Sequence, residues 1–108
     1  MAKNTDKKIN IKNSIKKYLA VLKENNINPR KVYLFGSYAK RKFDKDSDID
    51  LAIVSDDLKG HVINDMVLLM KFRNNIDIRI EPHPFLSKEF NKSNPFVREI
   101  IETGIKIK

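Results

Sequence analysis

The sequence predicts an α+β fold, an α/β sandwich in which a small mixed β-sheet is flanked by helices. Three observations predict it. Apolar residues recur at three- and four-residue spacing in the N-terminal quarter, as on one face of a helix. Two short apolar runs, KVYLF and IDLAIV, have the length and residue types of buried strands. A third run, IDIRIE, alternates apolar and charged residues strictly, as a half-buried strand does.

The expected elements follow in order. A helix from about Lys7 to Asn25 carries Ile11, Ile15, Leu19 and Leu22 on one face. Asn25 to Pro29 ends it, because the residue before a proline avoids the helical region. Lys31–Phe35 is the first strand, broken by Gly36-Ser37, and Tyr38 to Lys42 forms one or two helical turns. Asp44 to Asp48 is a loop, Ile49 to Val54 the second strand, and Ser55 to Gly60 a turn. Val62 to Arg73 is a helix with Val62, Met66, Leu69 and Met70 on one face. Ile76 to Glu81 is the third strand, which Pro82-His83-Pro84 is expected to stop. Asn94 as N-cap, Pro95 at the first position and Gly104 just past the end mark the last helix.

A chain of 108 residues fits one domain, spanning 1–108, with about the first eight residues expected to be disordered. That is too short to hold a second, substrate-binding domain. There is no cysteine, so neither a disulfide framework nor a thiolate metal site is available. No apolar run reaches the roughly 18 residues of a membrane span, and the lysine-rich N-terminus lacks the apolar stretch of a signal peptide. A cytoplasmic location is expected. The formal net charge of +8 suits a polyanionic partner, such as a nucleotide or nucleic acid, but also a lysine-solvated surface, since the lysines are dispersed. His61 and His83 are isolated and read as surface or loop residues, while Phe85, Phe90 and Phe96 read as core by default, an exposed apolar strip for a partner being the alternative.

The stretch GSYAKRKFDKDSDID concentrates the polar chemistry. Glycine at a strand end lets backbone approach a ligand, and a helix start at Ser37 would favour an anion. An ordinary capped turn is the alternative. Asp48 and Asp50, two apart at the start of a strand, present two carboxylates on one face. Such a pair is relieved by a hard divalent cation. A solvated strand entrance is the alternative. An EF-hand is excluded, because Ile49 and Ser55 occupy the positions of its glycine and glutamate. On the third strand Asp77, Arg79 and Glu81 share a face, which adds a third carboxylate to the pair.

The spacing G-S, ten residues, D-x-D, from Gly36-Ser37 to Asp48-Ile49-Asp50, resembles the signature of polymerase-beta-like nucleotidyltransferases. The chain is most similar to the minimal nucleotidyltransferases, antitoxin partners of HEPN-domain toxins. The resemblance implies that fold and an ATP- and Mg2+-dependent transfer of AMP, with a two-metal site. It implies phosphate binding by Gly36 and Ser37, with Lys40 as the nearby basic residue. It implies metal binding by Asp48, Asp50 and Asp77, the last also helping to deprotonate the acceptor, with Glu81 as the rival for that place. Arg41 stands where relatives often carry glycine. The implied acceptor is a tyrosine of a HEPN toxin held in a hetero-oligomer. The alternatives are a non-catalytic toxin-binding module and transfer to RNA, for which no aromatic platform or RNA motif is present.

Overall fold

The computed structural model describes residues 3–40 and 47–108, with side chains described from residue 11 onward. Helix α1 (Lys3–Glu24) precedes strand β1 (Lys31–Phe35). Strand β2 (Ile49–Val54), helix α2 (Val62–Lys71) and strand β3 (Ile80–Phe85) follow. A 3-10 turn at Ser87–Glu89, helix α3 (Pro95–Thr103) and a two-residue strand β4 (Ile105–Lys106) complete the chain. The sheet order is β3-β2-β1-β4. β1 runs antiparallel to β2 and β4, and β2 runs parallel to β3, so the sheet is mixed, as expected.

Each face of the sheet has its own core. Val32, Leu34, Ile49, Leu51, Ile53 and Ile80 face Ile11, Ile15, Tyr18 and Leu22 of α1 and Leu69 of α2. Tyr33, Ala52 and Val54 face Phe90 and the α3 residues Val97 and Ile100. The period-2 alternation of strands thus divides the chain into two layers of helix on one sheet. Tyr18 replaces the expected Leu19 as the most buried residue of its turn, and its hydroxyl donates to the Leu69 carbonyl over 2.7 Å. That bond ties α1 to α2. No helix among the described residues is long and apolar enough to cross a membrane.

Several expectations need correction. α1 begins at Lys3, ahead of the start expected near Lys7. Tyr38 to Lys40 lie in a turn closed by Lys40 N–H donating to the Gly36 carbonyl, and no helix forms there. The rest of that expected helix and most of the Asp44–Asp48 loop lie outside the described residues. α2 ends at Lys71, short of the expected Arg73, and Val62 at its start is 58% exposed. Ile76 to Arg79 form turn structure, and β3 starts only at Ile80 and runs through both prolines. The prolines are tolerated because β3 is an edge strand. Ile49 N–H donates to the Arg79 carbonyl and Ser55 N–H to the Phe85 carbonyl, so the odd-numbered residues of β3 face β2. Pro82 and Pro84 therefore turn their nitrogens, which carry no proton, to the open side.

The last helix matches its expected markers. The Asn94 side chain accepts from the Phe96 and Val97 amides, Pro95 opens the helix, and Gly104 caps its end. Asn94→Ala is expected to lower stability by about 0.5–2 kcal/mol, since the cap satisfies otherwise free amides. Urea denaturation would show a lower midpoint at unchanged slope.

Candidate active site

The site lies where β1 ends and β2 and β3 begin, on the α3 side of the sheet. Parallel register pairs Asp50 with Glu81 and Ala52 with His83. Asp50, Glu81 and His83 offer ligand atoms that all lie within 4.8 Å of one another. His83 Nε2 sits 3.1 Å from Asp50 Oδ1. A carboxylate only accepts, so this contact has Nε2 donating and fixes the orientation of Asp50. The His83 ring is itself held edge-on to Phe35, with centroids 4.9 Å apart.

Asp48 stands just before β2, and its carboxyl hydrogen-bonds Glu81. Glu81 is held above the usual carboxylate range. Burial is the main cause, followed by the hydrogen bond that protonated Glu81 donates to Asp48 and the charges of Asp48 and Asp50, with His83 opposing. Three acids thus crowd one spot, and each added negative charge raises the cost of the next. A bound cation relieves that cost. The donors are hard oxygens, which fit Mg2+, with one imidazole nitrogen beside them.

Gly36 is built into the same spot. Antiparallel pairing sets Phe35 opposite Asp50, so the next residue passes beneath the Asp50 carboxylate. Its φ is +73°, a left-handed conformation that glycine adopts freely. A Cβ at this position would collide with Asp50 Oδ2. Ser37 follows in the turn. Lys40 sits at the end of that turn, with Nζ 3.7 Å from an oxygen of Glu99 on α3, both side chains being more than half exposed.

Asp77 is placed elsewhere. It lies in the turn before β3, on the α1 side, where Ser14 of α1 donates to its Oδ2 over 2.9 Å. Arg79 grips it with Nε–H to Oδ1 at 3.0 Å and Nη2–H to Oδ2 at 2.7 Å, and the Arg79 amide donates to Oδ1 as well. The Arg79 guanidinium is the main reason that the Asp77 carboxyl sits below its usual range. Asp77 therefore has its charge compensated by protein, whereas Asp48, Asp50 and Glu81 share theirs. Of the residues expected to form the site, the structure brings together Asp48, Asp50 and Gly36, with Glu81 in the third place instead of Asp77. Sequence reasoning missed His83. Its signal was the two-residue spacing Glu81, His83 on one strand face, hidden by the neighbouring prolines.

The chain matches the family described as Polymerase beta, Nucleotidyltransferase over residues 6–108. It is also 37% identical over 76 residues to a curated protein of Methanocaldococcus jannaschii, covering 69% of this chain and 74% of that one. That relative's name is "Putative protein adenylyltransferase MJ0604".

Two substitutions separate the roles. Gly36→Ala should push the Asp50 carboxylate aside and cost roughly 1 kcal/mol or more in stability, because the φ is unsuited to alanine. Magnesium titration followed by calorimetry should show weakened binding. Asp77→Asn should cost about 1–3 kcal/mol at neutral pH through its charged hydrogen bonds. Since the Asp77 pKa is lowered, that stabilisation exists above the unfolded pKa and is lost as pH falls through the folded one. The stability difference between wild type and Asp77→Asn should therefore shrink in acid, and magnesium binding should survive the substitution.

Proposed function

The chain belongs to the polymerase beta nucleotidyltransferase family, and from that premise we propose that it transfers AMP from ATP to a hydroxyl group of a protein partner in the cytoplasm. The observation that carries this reading is the carboxylate cluster of Asp50 and Glu81 with Asp48 beside it, set directly over Gly36. Asp48, Asp50 and Glu81 would hold Mg2+, in the two-metal arrangement that the resemblance implies. Bound there, Mg2+ would supply Lewis acidity toward the phosphate oxygens and offset their charge.

The chain's own residues do the rest. Gly36 presents backbone rather than a side chain to the triphosphate, and Ser37 adds a hydroxyl donor. Lys40 leaves its exposed contact with Glu99 to meet a phosphate oxygen. The acceptor oxygen forms a bond to the α-phosphorus as the bond from that phosphorus to the α,β-bridging oxygen breaks, and pyrophosphate leaves. Glu81 accepts the proton of the attacking hydroxyl on a carboxylate oxygen. Holding the reactants in line is the main contribution of so small a domain.

The relative named as a protein adenylyltransferase supports a protein acceptor. The resemblance to minimal nucleotidyltransferases narrows the partner to a HEPN-domain toxin whose tyrosine is modified within a hetero-oligomer, which makes this chain an antitoxin. The test is incubation of such a toxin with this protein, ATP and Mg2+, followed by intact-mass spectrometry. Addition of one AMP per modified tyrosine is the expected result. Glu81→Gln should slow the transfer by about 10²–10⁴-fold, the usual contribution of a positioned proton acceptor. Equal silencing of the toxin by wild type and Asp50→Asn, with no added mass, would instead make the chain a binding module.

A further inference from the structure

A groove of about 380 Å3 lies against α1, on the face of the sheet opposite the carboxylate cluster. Lys16, Lys23 and Lys108 line it, and Leu19, Ala20 and Pro29 supply its apolar lining. We propose that this groove and the α1 surface leading to it dock a nucleic-acid duplex by its phosphate backbone, without reading its sequence. The carboxylates face the α3 side, so the duplex is a second partner and not the acceptor of AMP. The proposal therefore stands apart from the transfer reading.

Three observations lead there. The first is uncompensated charge. Lys12, Lys16 and Lys23 are exposed and lie four and seven residues apart, which sets them on one stripe of α1. From Lys7 to Lys23 the helix carries no acid. Among the described residues, no carboxylate is within ion-pairing distance of these lysines or of Lys108. Arg30, Lys40 and Arg79, by contrast, are paired with Asp56, Glu99 and Asp77. Asn28 also lines the groove, and its amide engages Asp57 beside the rim over 2.9 Å. Like charges in one row repel, and a polyanion laid along the row relieves them.

The second is length. The helix rises 1.5 Å per residue, so Lys12 and Lys23 stand about 16 Å apart along α1. A duplex presents one phosphate per about 1.7 Å of its axis, so about nine lie along that span. A single nucleotide carries too few charges to follow the stripe, whereas a polymer follows it throughout.

The third is residue type. Lysine is a flexible point charge, which suits phosphate, whereas arginine has the planar fork that reads carboxylates and base edges. No arginine and no aromatic ring lines the groove. Base readout and the stacking that holds a single strand therefore both lack their residues. An acidic protein segment would likewise lack the bidentate partners that arginine offers a carboxylate. Contact through the phosphates of a duplex needs only the lysines.

The test is fluorescence anisotropy of a labelled DNA duplex of roughly 16 base pairs titrated with the full chain, from about 50 to about 200 mM salt. Three lysine–phosphate contacts predict that log K falls against log salt with a slope of about −3. Lys16→Glu with Lys23→Glu should weaken binding about tenfold or more and flatten that slope by about 2. Lys88→Glu with Lys92→Glu makes the same charge change on exposed residues between β3 and α3. Salt screens charges beyond about 10 Å, so this pair should weaken binding less than about threefold. Lys16→Gln with Lys23→Gln should give an intermediate loss, and circular dichroism of every variant should overlay wild type. An RNA duplex of the same length should bind within about threefold of the DNA, since both offer phosphates. Equal losses in the two Glu pairs would overturn the proposal by reducing the attraction to net charge alone. Tighter binding of a single strand would overturn it too, as would displacement of the duplex by poly-glutamate at equal charge concentration. Absence of duplex binding by wild type at the lowest salt would do the same.

Discussion

The parallel register between β2 and β3 is the constraint on which the site depends. It sets Asp50 beside Glu81 and brings His83 one pleat further along the same face. A shift of one residue would send Glu81 and His83 to the α1 side and replace them with Ile80 and Pro82, residues now fully buried in the core. The hydrophobic core therefore protects the register, and the register holds the acids together against their mutual repulsion. The antiparallel β1–β2 pairing adds Gly36 beneath Asp50. Three strands thus bring Gly36, Asp50 and the Glu81–His83 pair to one spot.

The carboxylates of the region divide into two kinds. Asp77 is answered by Arg79 and Ser14, Asp56 by Ser87 and Arg30, and buried Asp65 by the Lys59 and Gly60 amides. These acids fasten turns and loops. Among the described residues, Asp48, Asp50 and Glu81 crowd one another and His83. An acid whose charge the protein already balances has little to gain from a cation, whereas a crowded group of acids gains a great deal. That difference favours Glu81 over Asp77 as the acid that would share a cation with Asp48 and Asp50.

Much of this was legible in the sequence. Strands β1 and β2, the markers of α3 and the Gly36-Ser37 to Asp48-Ile49-Asp50 spacing are local patterns, and local patterns survive folding when they agree with the tertiary environment. IDIRIE was misread because alternation alone does not make a strand. The Asp77 side chain bonds the Arg79 amide two residues on, an Asx-type turn that competes with extended structure. Pro82 and Pro84 read as a stop because their effect depends on whether a strand is at an edge, a tertiary property. The same prolines concealed His83. The two-residue strand β4 pairs across a large sequence separation, which no short-range pattern reports. The exposure of Val62 followed from where α2 meets the sheet rather than from its helical spacing.

The central claim is that Glu81 completes the carboxylate site begun by Asp48 and Asp50. Crystals grown with Mn2+ and a non-hydrolysable ATP analogue would test it most directly through the anomalous signal of manganese. The account predicts a peak bonded to carboxylate oxygens of Asp50 and Glu81, with Asp77 still held by Arg79 and Ser14. A peak bonded to Asp77, with Glu81 left outside the coordination sphere, would contradict it.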